Sequence, residues 1–358
     1  MNRLPEAISL LMTDALASAK LDFELRLASG GRWRDLEGKT EYFPVDYSLP
    51  VTEFALAQGL EVRPVYDVSL ILLHDNRPCG LWPLSLAHES DDRWTLGSNG
   101  GLLLPPVFLD GFEAKSTKTI VSRCISFVFD LCRRLGQSEF GSVERLVDKA
   151  GLGEWYNRLL LNGSSVTVQH DLYLDLEPPL EKVRSGFRKS YKPLISSGER
   201  LWKVGLVASE NQSVWERFMR LHEEVSGRMT RAKETWETQH AAIARGEAFL
   251  VTLENAEGRM VGGGYFVATP HEGVYGSGAY DRALFDKPLG HVVQWHAIQE
   301  LKRRGVCWYK LGRRAYLSDG PGVSEKEISI SNFKQGFASH LFPSFRIGCK
   351  VGQAENLF

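Results

Sequence analysis

Apolar residues recur along this chain at two spacings, one helical and one strand-like, and the order in which the spacings alternate predicts its elements. Leu4 to Ala19 and Val51 to Leu60 carry helical spacing. From Val65 the run VYDVSLILLH is rich in β-branched and apolar residues and ends at Asp75-Asn76, a strand followed by a turn. CGLWPLSLAH is the next apolar run and stops at the polar group from Glu89 to Arg93. WTLGSNGGLLLPPVFL then reads as a further strand entering a glycine-rich loop. Over Lys115 to Arg134 the period turns helical, with Ile120, Cys124, Phe127, Val128 and Leu131 on one face, and Arg133, Arg134 and Gly136 supply a C-terminus.

The second half repeats this order. Ala248 to Leu253, Met260 to Thr269 and Gly273 to Tyr280 read as strands, with a turn at Asn255 to Gly258. A helix follows over Gly290 to Arg304, and Cys307 to Leu311 as a last strand. Strand, turn, strand, glycine-bearing loop, helix and strand thus occur twice, which predicts a duplicated α/β (α+β) architecture with crossover helices. The 358 residues suit two domains, 1–165 and 166–358, divided within Asn162 to Gln169.

Composition narrows the function classes. Lys plus Arg total 43 and Asp plus Glu 44, so a net charge of -1 offers no global attraction to DNA or an anionic membrane, and any such binding must be local. No window approaches the roughly 20 apolar residues of a membrane span. The N-terminus has no long apolar core or small-residue cleavage site, so a cytoplasmic protein is expected, at most touching the inner membrane surface. The 5 cysteines form no Cys-x-x-Cys pair, which argues against disulfides and zinc ribbons. No metal is expected; His291 and His296, five apart, fit one helix face poorly.

Three clusters could carry chemistry. RSGFRKSYKPLISSGER, residues 184–200, is a cationic strip that could hold phosphates or serve as a solvated helix face, and Pro193 would kink or shorten its helix. HEEVSGRMTRAKETW, residues 222–236, sets His222, Arg228, Arg231 and Trp236 around Gly227, which suits an anionic sugar or nucleotide. In the third, a strand ends at Tyr280-Asp281-Arg282 and a helix begins near Gly290. Free amides and the positive dipole end make that start a natural anion or oxyanion site.

The element order, the Phe187-Arg188-Lys189 basic helix, YDRALFDKPLGHVVQWHAIQELKRRG and the closing EISISNFKQGF resemble the FemAB-like and BioF2-like acyltransferases. The resemblance covers most of the C-terminal half and the N-terminal half only by pattern. It implies two tandem Gcn5-related N-acetyltransferase (GNAT) domains, with the active site in the C-terminal one. The activity implied is transfer of an acyl or aminoacyl group onto an amino or hydroxyl group of a sugar or cell-envelope precursor. The usual acyl-CoA loop, Gln/Arg-x-x-Gly-x-Gly/Ala, is replaced by Asp286 to Gly290, so the donor is acyl-CoA or aminoacyl-tRNA.

Such chemistry needs a base, and Asp281, Glu327 and His222 are the candidates. Lys334, in the Asn332–Phe337 segment, matches the family's C-terminal lysine, where it would neutralise phosphate or developing charge. A solvated lysine at an apolar strand end is the alternative. Arg228, Arg231, Trp236 and Arg313 are expected substrate contacts, with Trp236 as a sugar-stacking or cation-binding face. Tyr280, Lys287 and His291 complete that set, and Gly290 is the expected donor contact. A tRNA-dependent transferase and a non-catalytic binding module in an envelope-polysaccharide pathway are the competing readings.

Overall fold

A computed structural model describes residues 4–89, 92–145, 152–228, 231–320 and 322–353. Ser90 and Asp91 of the polar group after the CGLWPLSLAH run, and Met229 and Thr230 of the second cluster, lie outside them. The chain forms two compact units that are interleaved in sequence. One holds 1–43, 58–169 and 343–358, the other 44–57 and 170–342. The expected contiguous halves, 1–165 and 166–358, therefore each lend a segment to the other unit. Short segments of this kind carry no periodicity that says which core they join.

The first unit begins with α1 (Glu6–Ser18), β1 (Asp22–Leu25) and α2 (Arg32–Glu37); α3 (Leu49–Val62) starts in the second unit and ends in the first. Then come β2 (Val65–Asp67), β3 (Leu70–His74), β4 (Arg77–Trp82), β5 (Ser85–His88), β6 (Trp94–Gly97), β7 (Val107–Phe108), α4 (Ala114–Arg134), β8 (Glu139–Arg145) and α5 (Glu154–Leu161). Two strands expected to be continuous are broken: VYDVSLILLH at Val68-Ser69, and CGLWPLSLAH at Pro83, which has no N–H to extend a ladder. The Asp75-Asn76 turn is real, with both residues left-handed at φ 50 and 58, the conformation of a two-residue hairpin turn. β1-β3-β4-β7 and β2-β5-β6 form two antiparallel sheets. α4 buries Cys124, Phe127, Val128 and Leu131 as its periodicity predicts, and ends at Arg134, two residues before Gly136 at φ 69. Cys79, Cys124, Cys132 and Cys349 lie in this core, where burial pushes their thiols up and leaves them unreactive.

β9 (Ser165–Asp175) leads into the second unit, followed by α6 (Leu180–Gly186), α7 (Tyr191–Leu201), β10 (Lys203–Val207), α8 (Gln212–Ser226), α9 (Lys233–Ala244), β11 (Ala248–Glu254), β12 (Met260–Ala268), β13 (Glu272–Tyr280), α10 (Leu289–Arg303), β14 (Trp308–Arg313), α11 (Glu325–Gln335) and β15 (His340–Lys350). β15 returns to the first unit, where it pairs with β8. The second unit's sheet runs β10-β11-β12-β13-β14-β9. One face of it packs on α7 and α10 through Phe249, Phe266, Val292, Val293 and Ile298; the other packs on α8 and α9 through Trp215, Phe218, Trp236 and Ile243. Gly262, Gly263 and Gly264, in the middle of β12, make room for large neighbours: a side chain at 263 would meet the Phe218 ring, and one at 264 would meet Val293 and Tyr275. The glycine run serves packing within the chain. Residues 44–57 join this unit through buried Val45, whose amide donates to the fully buried Glu272 carboxylate at 2.7 Å, and through Asp46, which pairs with Lys310 at 2.8 Å.

Candidate active site

β13 and β14 start side by side and then part. They pair in parallel only at Glu272–Trp308, Gly273–Tyr309 and Val274–Lys310, although β13 continues to Tyr280 and β14 to Arg313. Both strands are irregular where they separate. β13 carries a bulge against β12 at exposed Gly276, and β14 carries one against β9 between Lys310 and Gly312, whose φ of 102 only glycine adopts without strain. Bulges re-aim backbone groups, so the Tyr275–Tyr280 edge of β13 offers main-chain donors without a ladder partner among the described residues.

α10 begins beside this opening at Leu289, with no side-chain cap on its first amides. Its start packs against α11: a side chain at Gly290 would lie 3.2 Å from the Phe333 ring. α11 carries Lys334 in its last turn, and a side chain at Gly312 would lie 3.3 Å from the Lys334 amine. Among the described residues that amine makes no hydrogen bond or ion pair, and burial lowers its pKa. Lys334 thus lies in a helix over the β14 bulge, not at a strand end. His291, one residue past Gly290, is enclosed by the rings of Tyr191 (4.5 Å between centroids) and Phe333 (5.1 Å). Burial, with a smaller effect from Arg188, lowers its pKa to about 4, so the imidazole is neutral at pH 7.

The cationic strip of 184–200 is largely consumed inside the unit. Arg184 stacks on Trp295 at 5.1 Å and donates to Ser196 at 2.8 Å. Arg188 donates to the Asn332 carbonyl at 2.9 Å and to the Tyr191 hydroxyl at 3.2 Å, and Lys192 donates to the Ser185 carbonyl at 2.8 Å. Of the five, Arg188, Lys189 and Arg200 are exposed, Arg188 while still bonded to the Asn332 carbonyl. Pro193 does not kink a long helix; the chain breaks after Gly186, and Pro193 falls in the first turn of α7, where its missing N–H costs nothing.

Two of the three expected bases are engaged in structure. Asp281 accepts from Arg259 and from the Ala283 amide at 3.0 Å. Desolvation raises its pKa, but these bonds outweigh it and hold the carboxyl below its usual range. Glu327 accepts from the Ser324 amide and hydroxyl, both at 2.8 Å, while the Ser324 hydroxyl accepts from the Glu327 amide, a capping box at the start of α11. Those bonds keep it ionised. His222 is the exception. Its half-buried ring stands edge-on to Trp236 at 5.1 Å and makes no side-chain hydrogen bond among the described residues, and burial together with Arg231 lowers its pKa, leaving a neutral proton acceptor.

The remaining expected contacts divide in the same way. Arg228 and Lys287 are exposed, Lys287 against Asp286 at 2.9 Å. Arg313 is paired with Asp319 at 2.8 Å. Tyr280 is partly buried on β13 with its hydroxyl 3.3 Å from that of Tyr275. Trp236 is 3% exposed and packed by Trp215 and Phe218, so it is no open sugar platform; instead it backs the Arg231 guanidinium at 5.0 Å. A pocket of about 300 Å³ opens beside Asp281 and Arg282, walled by Leu221, Val225 and Gly227 at the end of α8.

Two features escaped the sequence reading. EISIS alternates like a strand, yet Ser324-x-x-Glu327 before it is a helix-start signature that predicts α11 and explains Glu327. Phe54, which lies over Arg231 at 5.7 Å, has no local signal, because residues 44–57 are remote in sequence from the unit they join.

Residues 181–324 match the acetyltransferase (GNAT) domain family. Among solved structures, FemX superposes with a TM-score of 0.63 at 12% identity, covering 88% of this chain and 95% of its own. A conserved protein of unknown function from Bacteroides thetaiotaomicron VPI-5482 gives 0.59 at 9%, covering 92% and 100%. L-PGS from Bacillus licheniformis gives 0.56 at 11%, covering 90% and 92%. No curated protein matches the sequence. Identities this low establish shared fold. Residues 181–324 match the acetyltransferase (GNAT) domain family, and the chain as a whole shares its fold with FemX and L-PGS.

Proposed function

We propose that the protein transfers an acyl group from an acyl-CoA-type thioester to a primary amine on a small or sugar-linked acceptor, in cytoplasmic synthesis of a cell-envelope or surface-polysaccharide precursor. The observation that carries this is the parting of β13 and β14 beside the uncapped start of α10, with the unpaired Lys334 amine over the β14 bulge. The α10 amides and Lys334 supply positive potential for the donor's phosphates and for charge developing on the acyl oxygen, and the β13 edge at Gly276 supplies main-chain donors to the same oxygen. The attacking amine forms a C–N bond as the C–S bond breaks. The proton lost from nitrogen passes to neutral His222, and the thiolate takes a proton from solvent. Internal use of Arg184, Arg188 and Lys192 favours a thioester donor over a tRNA.

Thermal unfolding against acetyl-CoA, longer acyl-CoAs and aminoacyl-tRNA tests this. A donor at about 100 times its Kd adds about 2.7 kcal/mol to native stability. The expected outcome is a raised midpoint with one acyl-CoA, lost in Lys334→Met. A rise with aminoacyl-tRNA alone would replace the thioester reading, and no rise with any donor would remove the transferase site from this opening.

A further inference from the structure

Among the described residues, Arg231 is a half-buried guanidinium without an acid. It lies against two rings, Trp236 at 5.0 Å and Phe54 at 5.7 Å, and among the described residues its one side-chain hydrogen bond is to the Gln239 amide oxygen at 3.3 Å. A guanidinium has five N–H donors in a planar fork, and one long bond to a neutral amide leaves most of them unfilled. A guanidinium fixed against two rings with donors still open is suited to take an anion from outside. Among the described residues no carboxylate pairs with it: Gln239, Trp236 and Phe54 are neutral, burial lowers the pKa of Arg231, and the Tyr275 phenol opposes that shift electrostatically. His222 shares the Trp236 ring. The pocket of about 300 Å³ that Leu221 helps to line also carries Glu224 and Asp281, so an anion is held at the guanidinium and not in that pocket.

We infer that Arg231, held between Phe54 and Trp236, is an anion-binding subsite that reads a carboxylate or phosphate on the acceptor. Assigning the anion to the acceptor rests on the acyl-transfer reading; anion binding at Arg231 does not. The acceptor would then be an amine that also carries an acidic group, its anion fixed by the guanidinium fork in bidentate fashion while its nitrogen is presented toward His222. Phe54 makes the segment 44–57 part of substrate selection.

The test uses the whole protein with three probes of one shape: benzoate, phenyl phosphate and neutral benzamide, each followed by quenching of tryptophan fluorescence. Either anion is expected to bind with benzamide at least 10-fold weaker, and Arg231→Gln to lose at least 10-fold in affinity. Binding of benzoate alone identifies a carboxylate, and of phenyl phosphate alone a phosphate; binding of both supports an undiscriminating anion site. A measurement on the unaltered protein guards against misfolding of the variant: phenylglyoxal modification of Arg231, read by peptide mass mapping, should be slowed by the bound anion. No anion binding, equal binding of benzamide, or an Arg231 that anions fail to protect would overturn the inference. Anion binding without any acyl-donor binding would leave the subsite standing and remove only its link to acyl transfer.

Discussion

Three arginines are laid against tryptophans among the described residues, Arg26 in the first unit and Arg184 and Arg231 in the second, and of these Arg26 is the one paired with an acid. In the first unit Arg26 lies over Trp33 at 5.2 Å and grips Asp67 through two nitrogens at 3.0 and 2.6 Å, the carboxylate being 1% exposed. In the second, Arg231 lies over Trp236 at 5.0 Å and, among the described residues, has only Gln239. Arg26 is met by a carboxylate of the chain, Arg184 by the Ser196 hydroxyl, and Arg231 by one long bond to Gln239, the weakest partner of the three. Lys310 and Lys334 repeat the contrast inside the second unit, since Lys310 pairs with Asp46 and Lys334 pairs with no acid among the described residues.

Asp67→Ala should break the structural half of the comparison. It strands a buried guanidinium, so a loss of about 3–5 kcal/mol in denaturant unfolding is expected. Lys334→Met should do the reverse, lowering turnover about 100-fold while the melting temperature holds or rises, because an unpaired and largely buried ammonium is removed. Gln239→Glu would convert Arg231 into a copy of Arg26. Stability should rise by about 1 kcal/mol, and anion binding at Arg231 should be lost, read by unfolding and by the fluorescence titration.

A further effect, confined to acid pH, concerns His291. Its pKa is about 4 folded and 6.5 unfolded, so the unfolded chain binds the extra proton between those values. Its contribution to stability is complete above pH 6.5 and is lost as the pH falls toward 4. The slope of melting temperature against pH in that window should flatten in His291→Phe, which keeps the aromatic enclosure of Tyr191 and Phe333.

The contrast also shows what a linear reading can reach. Arg231 and Lys334 stand out in the sequence as charged residues in informative segments, but so do Asp281, Arg313 and Glu327, and nothing local separates the two groups. The separation comes from partners: Arg259 for Asp281, Asp319 for Arg313 and the Ser324 box for Glu327. Only the last is written in neighbouring residues.

The sequence by itself determined the elements, because periodicity and turn residues act over a few positions: α4 and α10, the hairpin at Asp75-Asn76, and the repeated order that made a tandem α/β fold legible. It also located the segment around Gly290, since a helix start after a strand is a local pattern. Tertiary structure alone decided which charges are spent and which remain. Arg188 is tied to a carbonyl 144 residues away, Asp46 to Lys310 across 264, and Phe54 reaches Arg231 from a segment interleaved from the other side of the chain. The free energy of a charged group depends on what lies within a few ångströms of it, and that neighbourhood is fixed by folding rather than by position along the chain.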